Sequence, residues 1–498
     1  MAASLGVVHP SRHPLSPTAG TLCDTCVYDT FVSQHQGVEQ VGDTRSSPGA
    51  LIALACAAQF MVVLDVSVIN VALPSLQQEL SVAAIDLPWA VNAYTLVFAG
   101  FLLLGGRLAD LHGHRRVFLA GLGLFTGASL LGGLAPTVAL LGVARAGQGL
   151  GAAILAPVTL TLLTTTVTSG PARHRALAVW TGVGLAGGTA GNLLGGLLTE
   201  YLSWRSVLLI NVPLGVIALA VAPRHLPPGR PARRRRLDAP GAVLATAGLT
   251  CLAYAMVQAP ARGLTTAPTV TVAAAGVLAL AVFLAVEVRA ADTALVPARL
   301  LHARHIALGN LTMLLAGAAL NPMWYFLALA MRDLLNFSPL QTGLGFLPHT
   351  VLTLAVGILV TPRLMRRMPA RRLVVAGALV AAAGFAWQSR LAPDGGYLSG
   401  ILGPAALIAA GGGLLTTPLT AIVTSRISPE DAGAASGLMN TAKQAGGGLG
   451  LAALVAIAAQ PAGTGTGYRT AFLGISAVCV CVAAAASLLP RVVDGQQE

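Results

Sequence analysis

Long apolar stretches almost free of charge recur along this chain from residue 50 to residue 489. In lipid every backbone amide must find its partner within the chain, so such a stretch has to be helical. About 20 apolar residues, at roughly 1.5 Å of rise each, cover a hydrocarbon core roughly 30 Å thick. Stretches near 50–72, 86–106, 117–134, 137–162, 176–198, 206–222, 239–259, 267–287, 306–330, 339–361, 373–390, 398–424, 432–458 and 469–489 give fourteen expected spans and an all-α membrane protein. The third and fourth are divided at Gly133–Pro136. Only Arg145 interrupts the run from Val117 to Ala172, and that run is too long for one crossing.

The arginines test this count, because short cytoplasmic loops hold an excess of basic residues. Alternate loops carry Arg115 and Arg116, then Arg173 and Arg175, then Arg224, Arg230 and Arg233–Arg236. The series continues with Arg289, Arg299 and Arg304, then Arg363, Arg366, Arg367, Arg371 and Arg372, then Arg426, and Arg491 near the end. The opposite loops hold single arginines: Arg205, Arg262, Arg332, Arg390 and Arg469. One span too many or too few would scramble the alternation from the error onward. Fourteen spans with both termini cytoplasmic, in the inner (plasma) membrane, are therefore expected.

Composition excludes the soluble classes: 10% of residues are charged, against about 25% in ordinary globular domains. The net charge of +12 does not indicate nucleic acid, because the arginines are spread between apolar runs and face a membrane surface instead. Lys443 is the single lysine, an arginine bias that points to a high-GC bacterium. Cys56, Cys251, Cys479 and Cys481 lie inside apolar runs. Cys23 and Cys26 form a C-x-x-C with no second ligand pair, so no metal site is expected. The first 48 residues mix His, Pro, Ser, Gln and Gly and read as a disordered tail without a signal peptide's apolar core.

Two loops echo each other. GRLADLHGHRR, Gly106–Arg116, aligns without gaps to PRLMRRMPARR, Pro362–Arg372. Parallel half-repeats with a substrate cavity between them are a transporter architecture, although two arginine-rich loops also match by chance.

Asp65 and Asn70 lie within the first run, in LDVSVINVALP. A carboxylate in a span costs about 2.5–3.5 kcal/mol on insertion scales and marks an ion or proton pathway unless it reaches the headgroups, which the depth of Asp65 disfavours. Arg145 lies in the fourth run, in LGVARAGQGLGAA. Its permanent charge suits a coupling partner for a carboxylate, or a helix contact made through carbonyls. Gly147, Gly149 and Gly151, around Gln148, allow close helix approach. Other polar residues in spans, among them Trp89, Asn92, Tyr94, Gln148, Asn310, Asn321 and His349, are candidates for lining a cavity. His349 suits a proton relay or an interhelical hydrogen bond equally. Lys443 suits an anion site or a residue reaching the interface equally.

Taken together, LDVSVINVALP, WAVNAYTL, GGRLADLHGHRR, ARAGQGLGAA, WRSVLLINVP and SPEDAGAASGLMNTAKQAGGGLG (Ser428–Gly450) occur in order. Their spacing resembles that of the fourteen-span drug:proton antiporter family of the major facilitator superfamily, over about residues 50–490. The resemblance implies two six-helix bundles plus two inserted helices. The expected division is a cytoplasmic tail (1–48), an N-terminal bundle (49–223), a basic loop (224–238), the inserted pair (239–288), a C-terminal bundle (289–490) and a second tail (491–498). It also implies proton coupling at Asp65 and Arg145. Gly106, Asp110, Gly113, Arg115 and Arg116 would form a conformational gate, with Asp110 latching the outward-facing state. The substrate cavity would draw on Asn70, Trp89, Asn92, Tyr94, Gln148, Asn310, Asn321 and His349.

One departure concerns the antiporter motif of the fifth span. The family usually places Gly-Pro before the closing Gly-Gly, whereas this chain has Gly191, Asn192, Gly195 and Gly196. Asparagine does not kink a helix as proline does. The runs 306–330, 339–361 and 398–424 contain no Asp or Glu, which favours a neutral, anionic or singly charged substrate over a multiply charged cation. The expected function is proton-coupled export of small lipophilic molecules, drugs or antibiotics, by alternating access. No cofactor beyond the proton gradient is expected, and the expected partners are the substrate, protons and the bilayer around a monomer. An importer or symporter on the same fold is the nearest rival, followed by a membrane-embedded enzyme or a channel.

Overall fold

The computed structural model describes residues 48–166, 170–226, 239–263, 265–289, 303–392, 396–425, 427, 432–458 and 466–490. The expected tails up to residue 47 and from 491, with Cys23 and Cys26, lie outside the described residues, as do 227–238 of the basic loop and 290–302.

Among the described residues the chain forms fourteen helical rods and no strand. They are α1 (Pro48–Glu79), α2 (Trp89–His112), α3 (His114–Gly133), α4 (Val138–Thr166), α5 (Gly170–Tyr201) and α6 (Ser206–Leu209 continued by Asn211–His225). Next come α7 (Ala239–Arg262), α8 (Ala267–Arg289), α9 (Arg304–Leu335) and α10 (Pro339–Ala355, a π turn Val356–Val360, then Thr361–Met365). The last four are α11 (Ala370–Gln388), α12 (a π turn Leu398–Leu402, then Gly403–Val423), α13 (Ala432–Ala458) and α14 (Thr466–Ser487). Twelve are long and apolar enough to cross a membrane; the other two, α5 and α13, are glycine-rich. The doubtful division between third and fourth spans falls where Gly133–Pro136 places it, with α3 ending at Gly133 and α4 starting at Val138.

Local breaks follow from the sequence. Gly113 has φ 86°, a left-handed conformation natural to glycine, and serves at once as the C-cap of α2 and the N-cap of α3. Both π turns lie just before a proline, Pro362 and Pro404. Proline has no N–H for the carbonyl four residues back. For Pro404 that carbonyl is Gly400, and it accepts instead from Gln388 Nε2 at 2.6 Å.

Helices α1–α6 and α9–α14 form the two bundles, and α8 packs on α7, which lies beside α2 and α13. The two halves that echo each other in sequence hold equivalent places, the α2–α3 and α10–α11 turns, at the arginine-rich end. At the opposite end one hydrophobic cluster joins both bundles. It runs from Ile69, Leu73 and Leu76 of α1 and Trp204 in the turn before α6 to Met323 and Phe326 of α9, Phe346 of α10, Leu454 of α13 and Phe472 of α14. Toward the arginine-rich end the large clusters are separate. One holds Leu54, Phe118 and Phe125 of the first bundle, the other Met313, Leu419 and Val482 of the second. Among the described residues the cross-bundle cluster there is small, Ile306 and Ala435 with Leu103.

The glycine-rich helices make close seams inside their own bundles and, through Gly196 of α5 and Gly448 of α13, against the other bundle as well. Helix α5 packs Gly191 and Gly195 on α1, where an added Cβ would lie 2.9 Å from the carbonyls of Leu64 and Val68. Its other face meets α10, where a Cβ on Gly196 would lie 2.6 Å from Pro339 O. Helix α13 repeats this against α9: a Cβ on Gly446 would lie 1.9 Å from Leu314 O. Without room for a methyl, Gly446→Leu should lower the thermal midpoint of the purified protein by more than the usual cost of overpacking, about 1–3 kcal/mol. Gly123→Leu, at a site with no atom within 4 Å, should leave the midpoint nearly unchanged.

The α5–α10 seam also carries a polar clasp. Ser338, Pro339 and Gln341 start α10 as a capping box, and Glu200 of α5 accepts from the free Leu340 amide at 2.8 Å. The bond to Ser338, then that to Leu340, hold the Glu200 carboxyl below its ordinary range. A lowered carboxyl strengthens the clasp above its ordinary titration range and loses it as pH falls through the lowered value. Spin labels at Leu202 and Leu344, both exposed, should therefore move apart on acidification of that side, and Glu200→Gln should show the same separation at neutral pH.

Candidate functional site

Asp65 and Arg145, 80 positions apart in sequence, meet inside the first bundle. Arg145 Nη1 donates to Asp65 Oδ2 at 2.5 Å, with side-chain exposures of 1% and 0%. Asp65 Oδ1 accepts from Gln148 Nε2 at 2.8 Å and from Asn211 Nδ2 at 3.0 Å. Arg145 is held in turn: Nε donates to Ala90 O at 2.9 Å, and Nη1 also reaches Gln148 Oε1 at 2.9 Å. Gln148 Nε2 lies 2.8 Å from Ser129 Oγ, which donates to Phe125 O. The guanidinium sits 4.6 Å above the Tyr94 ring, a cation–π contact in a dry setting.

Helices α1, α2, α3, α4 and α6 thus converge on one carboxylate, and α5 backs it by pressing Gly191 onto Leu64 and Ser67. A buried ion pair is stable only when its remaining donors and acceptors are satisfied. Here three donors meet a group that is acceptor-only when ionised. A neutral Asp65 would hold all three donors more weakly than the carboxylate does. Both charges are sealed from solvent.

The remaining expected site residues are dispersed. Asn70 donates to Val66 O of its own helix, and Asn310 to Ile306 O of its own. Trp89 packs on Tyr254 of α7, with ring centroids 6.2 Å apart. Asn92 is fully buried where α2 faces Gly448 of α13, and neither side-chain polar atom has a partner. In the second bundle, Asn321 Nδ2 donates to Gln444 Oε1 at 3.4 Å, and His349 Nδ1 lies 3.3 Å from Ala405 O with Trp324 edge-on to its ring. Of the expected gate, Gly106 and Asp110 are in α2, Gly113 makes the turn, and Arg115 and Arg116 begin α3. The Asp110 side chain lies outside what the structure describes. The antiporter motif forms the α5 seams: Gly191 and Gly195 on α1, Gly196 on α10, and the Asn192 carbonyl 2.4 Å from a Cβ built on Gly343. Helix α5 runs unbroken through Asn192. Among the described residues no cluster of His, Cys, Asp or Glu could hold a metal.

Sequence reading missed Asn211 and Ser129. Asn211 lies in WRSVLLINVP, so the signal was a polar side chain in a span opposite an unpaired acid.

The sequence profile described as Major Facilitator Superfamily matches residues 55–451 and 306–497. The chain belongs to this superfamily. Its sequence is 53% identical over 464 residues to the cephamycin export protein CmcT of Amycolatopsis lactamdurans, covering 91% of this chain and 96% of that one. It is 42% identical to the puromycin resistance protein pur8 of Streptomyces alboniger, over 83% and 82% of the two chains. The tetracenomycin C resistance and export protein of Streptomyces glaucescens is 32% identical over 84% and 77%. Among solved structures, the POT family transporter PepTSo superposes with a TM-score of 0.66 at 17% identity, over 88% and 97% of the chains, a likeness of fold. This major facilitator protein is a multi-pass membrane transporter and not an enzyme.

Proposed function

We propose that this transporter exports antibiotic-type small molecules from the cytoplasm and couples each export to inward passage of protons through Asp65. The observation that carries the reading is the sealed Asp65–Arg145 pair, a titratable acid whose access to solvent depends on helix movement. The relatives named for antibiotic export and resistance support the substrate class. The arginine-rich end is taken as cytoplasmic by the positive-inside rule. The cross-bundle cluster then closes the external side, and on this reading the conformation is the inward-facing one.

In that cycle substrate entering from the cytoplasm displaces the proton from Asp65, which then pairs with Arg145. Rocking of the bundles along the α5–α10 and α2–α13 contacts, at Gly196 and Gly448, opens the external side. There a proton reaches Asp65 as substrate leaves, Arg145 is released, and the return step carries the proton to the cytoplasmic side.

Inverted membrane vesicles test the direction and the coupling together. With an inside-acid gradient they should accumulate puromycin or a cephamycin, and a protonophore should abolish the accumulation. Accumulation indifferent to the protonophore would remove the coupling. Gradient-driven uptake by intact cells, with none by inverted vesicles, would establish the importer instead.

A further inference from the structure

The second bundle contains a charge that the proton pathway does not use. Lys443, the chain's single lysine, stands on α13, roughly 16 Å along the axis from its start and roughly 22 Å from its end. Its carbonyl lies 2.0 Å from where a Cβ on Gly317 would sit, so its backbone is locked into the α9–α13 seam. The side chain leaves that seam half-buried, too far from either helix end to reach the headgroups. An ammonium at such depth is costly and calls for a partner.

Among the described residues Lys443 pairs with none. The acids with assigned partners are engaged elsewhere: Asp65 in the other bundle, Glu79 with Arg205, Glu200 at the Leu340 amide, Asp333 with Tyr468. Helices α10 to α14 contain no Asp or Glu, and α9 has only Asp333, near its far end. Two amides share its stretch of helix: Asn440, one turn before it, is exposed and donates to Ser436 O, and Gln444, the next residue, offers Oε1 to Asn321 of α9, which leaves its Nε2 free to donate. An unpaired cation in mid-span, on a helix that carries no acid and next to a free amide donor of Gln444, suits an anion that comes and goes.

We propose that Lys443, with Gln444 and Asn440, binds a carboxylate on the exported molecule. The proposal rests on the export reading above and adds the substrate class: organic acids are recognised by charge and their neutral esters are not.

Cefoxitin, a cephem carboxylic acid, and its methyl ester are the probes, measured in inverted vesicles with wild-type protein, Lys443→Gln and Lys443→Arg. Removing an unpaired charge from mid-span should not harm folding, and membrane abundance and thermal midpoint check this. The expected result is a loss of acid transport of at least about tenfold in Lys443→Gln, ester transport unchanged, and partial rescue by Lys443→Arg. Equal acid transport by wild type and Lys443→Gln would overturn the proposal. So would an equal fall for acid and ester, which would place Lys443 in the transport cycle and not in recognition. If wild-type vesicles accumulate neither probe, the export reading fails for this class, and binding to the purified protein decides the inference separately. Tryptophan-fluorescence titration must then show tighter binding of acid than of ester, with the difference lost in Lys443→Gln.

Discussion

Asp65→Asn should reduce gradient-driven export to the level of vesicles without the protein, while substrate still equilibrates passively or binds. Asparagine keeps the size of the side chain and two of its three hydrogen-bonding relations, but it cannot carry a proton. The substitution also leaves Arg145 charged and buried without its counter-ion, and breaking such a pair from one side costs about 3–5 kcal/mol. Loss of transport alone would therefore not separate coupling from folding. The double variant Asp65→Asn with Arg145→Gln removes both charges and keeps polar groups in the core, so it should recover the thermal midpoint and not the transport. Export that survives in Asp65→Asn at normal membrane abundance would remove Asp65 from the coupling.

Arg145→Lys should be nearly as damaging, although the charge is retained. The guanidinium makes three hydrogen bonds at once, to Ala90 O, Asp65 and Gln148, and its flat face lies on Tyr94. An ammonium is a point charge without that planar fork. It cannot tie α2, α4 and α1 together in the same geometry. Export rate should fall steeply with only a modest drop in midpoint, whereas Arg145→Leu, which leaves the carboxylate unpaired, should lower the midpoint by the larger amount expected for an orphaned buried charge, about 3–5 kcal/mol. Equal export by Arg145→Lys and wild type would mean that positive charge alone suffices.

Much of this was legible in the sequence because lipid allows few alternatives. Charge-free runs must be helices, and the run from Val117 to Ala172, too long for one crossing, divides at Gly133–Pro136 where turn residues allow it. The Asp65–Arg145 pair was legible for the same reason: one acid and one base in different spans each need a partner. Helix faces were not. In water an apolar stripe marks the core, but in a membrane both the core and the lipid side are apolar, so periodicity says little about which way a residue points. Gln148 and Tyr94, expected at a cavity, belong to the ion-pair network. Trp89, expected there too, packs on the inserted helix α7. The seams escaped notice because a glycine shows its partner only once the opposing carbonyl is in place, as at Gly196 and Gly446.

The most direct test is the proton count on substrate binding. In weakly buffered detergent solution, adding puromycin or cefoxitin to the purified wild-type protein should release protons to the medium, and Asp65→Asn should release none while still binding the compound. Equal release from both proteins, or binding to wild type without any release, would contradict exchange of substrate and proton at Asp65.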